Sequence, residues 1–137
     1  MRNTPSTSPG KILVVEHDPA FALFAETILG TWEAFDVTVV GTAEAAAGLL
    51  ETEPWDLVIA DFDLPHAQAP LLLTAVRAQA PGLPFAMVTA HPVQGPTLNA
   101  LRAADGFITK PARPCSLIGL ATNLIHRSRR QREQSAG

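Results

Sequence analysis

Residues 57–60, Leu-Val-Ile-Ala, form an unbroken apolar run that stops on a carboxylate, Asp61. Strict apolar–polar alternation would mark a strand with one wet face, whereas a continuous run marks a strand covered on both faces. The same device recurs along the chain. Residues 12–15 run apolar into Glu16-His17-Asp18, residues 85–88 end on Thr89, and residues 106–109 end on Lys110-Pro111. Residues 35–40, rich in β-branched side chains, supply one further strand.

Helical patterns fill the gaps. Asp18-Pro19 is a capping side chain followed by proline at the first helical position. Phe21, Phe24, Ala25, Ile28 and Leu29 then recur at helical spacing, with Gly30 as the expected stop. Gly41-Thr42 opens a second helix over residues 43 to about 50. Residues 66–69 read as a loop, after which Pro70 opens a third helix carrying Leu72, Leu73 and Val76. Gly95 and Pro96 leave only residues 97–104 for a weak fourth helix. The fifth starts near Pro114 and places Leu117, Leu120, Ala121, Leu124 and Ile125 on one face. Doubly covered strands alternating with helices predict an α/β fold, a single doubly wound five-stranded parallel sheet. Right-handed crossovers favour the order 2-1-3-4-5 of flavodoxin-like folds.

At 137 residues, 47% hydrophobic and 17% charged, the chain is expected to hold one packed domain. The expected division is a flexible arm over residues 1–10, the domain over 11–126, and a basic flexible tail over 127–137. Four arginines against one glutamate make that tail net +3, and the total of −3 then leaves −6 for the rest. A body that acidic argues against nucleic-acid binding by the domain itself. No apolar run reaches the roughly 18 residues of a membrane span, and the N-terminus lacks the apolar core of a signal peptide. The lone Cys115 excludes an internal disulfide, suits a cytoplasmic setting, and is expected to be a small half-buried packing residue.

All strand C-termini of such a sheet share one edge, where ligands bind. That edge collects Glu16, His17, Asp61, Asp63, Thr89 and Lys110. Lone buried charges are costly, so these groups are expected to pair with one another or to serve a ligand. An acceptor carboxylate, a hydroxyl and an ammonium together suit a phosphoryl group.

Four segments carry a family resemblance: Ile12-Leu13-Val14-Val15-Glu16-His17-Asp18-Pro19, residues 56–65 around Asp61, Val88-Thr89-Ala90, and Gly106-Phe107-Ile108-Thr109-Lys110-Pro111. In order and spacing they resemble the receiver domain of bacterial two-component response regulators, over about residues 11–125. The resemblance implies that Asp61 is the phosphoacceptor, taking its phosphoryl group from a phosphohistidine on a sensor histidine kinase or a histidine phosphotransfer protein. It implies that Thr89 and Lys110 contact the phosphoryl oxygens, that Phe107 is an aromatic switch coupled to Thr89, and that the Lys110–Pro111 bond is cis. Mg²⁺ would sit among Asp61, the pair at Glu16 and His17, and the backbone carbonyl of Asp63. Output would be to a protein target through the face made by the fourth helix, fifth strand and fifth helix, and a homodimer is compatible with it. No enzymatic activity beyond autodephosphorylation is implied.

This chain departs from the family at three places. His17 stands where a second acidic residue, the direct metal ligand, is usual, and imidazole is a poor ligand for Mg²⁺. Weak Mg²⁺ binding is therefore expected. The segment His66-Ala67-Gln68-Ala69-Pro70 replaces the usual Gly and Asp, and Gly95-Pro96 interrupts the fourth helix. His17 has three readings: a surface histidine, a protonated counter-charge in place of the metal, or a transition-metal ligand together with His66 and His91. As little chain follows Ile125, a stand-alone receiver is expected. The alternatives are a receiver-like binding scaffold that works without phosphorylation, and a small flavodoxin-like enzyme or nucleotide binder. The last lacks a glycine-rich phosphate loop after the first strand.

Overall fold

In the computed structural model, which describes residues 8–136, five parallel strands form one sheet in the order β2-β1-β3-β4-β5. They are β1 (Lys11–Val15), β2 (Asp36–Val40), β3 (Leu57–Asp61), β4 (Phe85–Thr89) and β5 (Gly106–Thr109). The helices are α1 (Pro19–Ala25), α2 (Ala43–Thr52), α3 (Gln68–Gln79), α4 (Gly95–Arg102) and α5 (Pro114–Ala136). This is the topology expected from the sequence. Among the described residues no helix is long and apolar enough to cross a membrane.

The unbroken runs are explained by two cores. Side chains alternate across a strand, so each central strand feeds both layers. Ile12, Val14, Leu57, Ile59, Ala86 and Val88 face Phe21, Ala25, Leu117, Ala121, Leu124 and Ile125. Leu13, Val15, Val58, Ala60, Phe85 and Met87 face Ala46, Leu72, Leu73, Val76 and Leu101. Every residue of β3 and β4 is buried, while edge strand β2 is only partly covered. Ile59→Ala removes a fully buried side chain from the central strand. Denaturant titration is expected to show a loss of about 2–5 kcal/mol.

Capping follows the sequence at two helices. The Asp18 side chain accepts from Ala20 N–H at 3.0 Å, and Thr42 Oγ1 accepts from Ala45 N–H at 3.1 Å. Elsewhere the structure corrects the reading. Gly30 does not end the first helix: a π-helical segment, Glu26–Trp32, continues it, and the chain turns at Ala34, whose φ is 61°. Residues 66–67 form a 3₁₀ turn with Pro65, and both are left-handed, at φ 61° and 54°. Helix α3 starts at Gln68, so Pro70 lies in the first turn, where its missing N–H leaves no helix bond unmade. Gly95 and Pro96 open α4 instead of delaying it.

The largest correction is at the C-terminus. Helix α5 runs to Ala136, so the segment from Arg127, read as a flexible tail, is helical through Ala136. Ser128 is buried and its hydroxyl donates to the Gly82 carbonyl at 2.9 Å. Arg127 Nη2 donates to the Asp105 carbonyl at 3.4 Å, and Arg129 pairs with Asp56 at 3.7 Å. These polar contacts hold the first added turn to the body. Cys115 is exposed rather than packed. Of the expected N-terminal arm, residues 1–7 lie outside the described residues.

Candidate functional site

Strand register assembles the site. Val15 pairs with Ala60, Asp61 with Val88 and Thr89 with Thr109. The residues that follow or end these strands, Glu16, Asp61, Thr89 and Lys110, therefore meet at one edge of the sheet. Backbone bonds fix the turns there: Phe62 N–H donates to the Val88 carbonyl at 2.7 Å, and Lys110 N–H to the Thr89 carbonyl at 2.7 Å.

Asp61 is 1% exposed and Glu16 4%. One oxygen of Asp61, Oδ1, accepts from Asp63 N–H at 2.8 Å. The other, Oδ2, lies 3.0 Å from His17 Nδ1 and 3.5 Å from Lys110 Nζ. Lys110 Nζ is closer still to Glu16, at 3.0 Å from Oε1 and 3.1 Å from Oε2. Its charge also faces Asp18 at 3.7 Å and the Phe21 ring at 4.9 Å. The Lys110–Pro111 peptide is cis.

The two carboxylates titrate in opposite directions. Burial, together with the hydrogen bond shared with Asp61, pushes Glu16 up to about 7, against the pull of Lys110. Burial also pushes Asp61 up, but it is outweighed by the bonds to Glu16 and Asp63 N–H and by the Lys110 and His17 charges. Asp61 is held below the usual carboxylate range. Burial works against the Lys110 ammonium, yet Glu16, Asp61 and Asp18 more than compensate and raise it. The edge thus carries an ionised Asp61 beside an ammonium, the charge state an attacking carboxylate needs.

Asp63 does more than turn the loop. Its Oδ2 accepts from Thr89 Oγ1 at 3.3 Å and from Ala90 N–H at 3.0 Å, and its Oδ1 lies 2.9 Å from His91 Nε2. Thr89 is fully buried and also accepts from His91 N–H at 3.0 Å. The Asp63 side chain therefore ties the loop after β3 to the loop after β4, a role that a turn-forming aspartate does not announce. Asp18 was legible only as a helix cap, and its proximity to Lys110 depends on the fold. Phe107 is half-buried on β5 and packs against the core layer of α2, α3 and α4.

Glu16, His17 and Asp61 each offer one donor atom within 4.8 Å of the others, the only such group of three or more metal-ligating side chains among the described residues. His66 and His91 do not join it. The donor set is a poor fit to Mg²⁺, which prefers an oxygen octahedron. One of the three donors is an imidazole nitrogen.

Comparison with known proteins agrees with this geometry. Residues 12–122 match the family model of the response regulator receiver domain. The chain is 35% identical over 114 residues to the response regulator protein FleR of Pseudomonas aeruginosa, covering 80% of this chain and 23% of that protein. It is 29% identical over 104 residues to the probable transcriptional regulatory protein TcrX of Mycobacterium tuberculosis, covering 75% and 44%. The chain thus spans less than half the length of either relative. Among solved structures, a CheY-like receiver domain protein from Methanospirillum hungatei superposes with a TM-score of 0.79 at 27% identity, covering 88% of this chain and 97% of that one. NtrX from Brucella abortus gives 0.83 at 26%, covering 93% and 28%. The chain belongs to the response regulator receiver domain family of two-component systems.

Proposed function

We propose that Asp61 is the phosphoacceptor of this receiver and that its phosphorylation is read by a protein partner. The observation that carries the proposal is a buried carboxylate with Oδ1 fixed by the Asp63 N–H and Lys110 Nζ 3.5 Å from Oδ2. An Asp61 oxygen attacks phosphorus, the P–N bond of a phosphohistidine breaks, and the departing imidazole takes up a proton. Lys110 lies where it can neutralise the incoming phosphoryl oxygens, exchanging part of its contact with Glu16 for them. Thr89, bonded to Asp63 before transfer, turns its hydroxyl to the phosphoryl group, and Phe107 answers on β5. The donor is a sensor histidine kinase or a histidine phosphotransfer protein in the cytoplasm. The target docks on the face of α4, β5 and α5. The domain signals and is not itself an enzyme beyond autodephosphorylation. Mg²⁺ association at Glu16 and Asp61 is weak because of His17.

Incubation with acetyl phosphate tests this directly. One phosphoryl group per chain is expected on the wild type, and none on Asp61→Asn, by intact mass and peptide mapping. One contact favours a second reading, a scaffold that works unphosphorylated: His17 Nδ1 sits 3.0 Å from the oxygen that would attack. Absence of label on Asp61 in both the wild type and His17→Asp overturns the phosphoacceptor reading in favour of the scaffold.

A further inference from the structure

The imidazole beside Asp61 changes which ions this edge of the sheet suits. First-row transition ions accept imidazole together with carboxylate, whereas Mg²⁺ selects oxygen. Bonds of about 2.1 Å at right angles hold neighbouring donors about 3.0 Å apart. His17 Nδ1 and Asp61 Oδ2 are already 3.0 Å apart. Glu16 Oε2 is 4.0 Å from the same nitrogen, a gap that a movement of about 1 Å by the imidazole reduces to that spacing.

Burial distributes the roles. The Glu16 and Asp61 side chains are 2% and 1% exposed, while that of His17 is 47% exposed. The carboxylates form a fixed floor, the imidazole can adjust, and the solvent side is open for water to complete the coordination. The charge also suits a dication, because two buried carboxylates share one fixed cation, Lys110. His91 is engaged by Asp63 instead, which limits the protein donors to three.

We infer that Glu16, His17 and Asp61 form a site for an imidazole-accepting divalent transition ion, of the class from Mn²⁺ to Zn²⁺, in preference to Mg²⁺. The inference deepens the reading of the same site, but its test does not depend on phosphoryl transfer. A nitrogen in place of one oxygen donor favours such an ion over Mg²⁺.

The test uses the chain without a histidine tag, stripped with EDTA and titrated calorimetrically with Ni²⁺ in the presence and absence of excess Mg²⁺. One equivalent is expected to bind and to resist a hundredfold excess of Mg²⁺. His17→Ala is expected to weaken Ni²⁺ by about tenfold or more. His17→Asp is expected to weaken Ni²⁺ and to gain Mg²⁺ binding. His126→Ala, on the exposed side of α5, is expected to change nothing. The inference is overturned if no one-equivalent binding occurs, if His17→Ala binds Ni²⁺ as the wild type does, or if Mg²⁺ displaces Ni²⁺ at comparable concentration. Ni²⁺ binding without labelling of Asp61 would retain the ion site and remove the phosphoacceptor. Labelling without Ni²⁺ binding would do the reverse.

Discussion

His17→Asp is expected to raise the rate of Asp61 phosphorylation by acetyl phosphate about tenfold or more in millimolar Mg²⁺, and to leave it nearly unchanged in EDTA. The substitution makes two changes, and the first is expected to carry the gain. It replaces a nitrogen donor by an oxygen donor, completing the set that Mg²⁺ selects. It also removes the imidazole that lies 3.0 Å from Asp61 Oδ2. Only the first of these requires the metal. A similar gain with and without Mg²⁺ would show that His17 acts by occupying the oxygen rather than by degrading the cation site. No gain in either buffer would remove His17 as the restraint on this site. The new carboxylate stands beside two buried ones, so the variant is also expected to lose stability in EDTA and regain it on adding Mg²⁺. Thermal melts in the two buffers measure that recovery.

The second large effect is on stability, and its sign differs for two residues in contact. Glu16→Gln is expected to stabilise the metal-free domain at pH 8 by about 2–3 kcal/mol, a gain that vanishes towards pH 5. Glu16 is raised from an ordinary value of 4.5 to about 7 in the folded state. Below 4.5 it is protonated in both states and its contribution is fully present. Between these values the native state binds more protons than the unfolded chain, so stability falls as pH rises. Above about 7 the whole cost is incurred, and a neutral glutamine escapes it. Asp61 works in the opposite sense, since its lowered value places its effect at more acidic pH, below its ordinary 3.8. Lys110, raised above 10.5, acts only at strongly alkaline pH. Glu16 therefore dominates this cluster's contribution between pH 5 and 8.

Lys110→Met should do the reverse at pH 8, costing about 3–5 kcal/mol, because it leaves two buried carboxylates without their fixed cation. Urea melts of both variants at pH 5 and pH 8 give all four values. A Glu16→Gln variant less stable than the wild type at pH 8 would mean that its ion pair with Lys110 outweighs the burial of its charge.

Much of this was legible in the residues because the relevant physics is local. A run such as residues 57–60 buries every side chain only between two layers, and both layers are present. Asp61, Thr89 and Lys110 could be placed on one edge because parallel strands end together, and the register brings them there. The caps at Asp18 and Thr42 are local as well.

What the sequence could not supply depends on partners far along the chain. The packing pattern of α5 turns polar after Ile125, yet the helix continues, held by Gly82, Asp56 and Asp105 from other elements. The turn at Ala34 and the left-handed pair at His66 and Ala67 carry no glycine to mark them, and all three are exposed, so no apolar pattern marks them either. Asp63 could be placed on the sheet edge, but only β4 brings Thr89 and His91 to its carboxylate. The same holds for His17. Its identity was visible beside Glu16, but only the pairing of β1 with β3 sets its ring against Asp61 and makes a histidine at a strand end part of the site. Local pattern determined the elements and the edge on which the chemistry lies; distances across strands decided which of those residues act together.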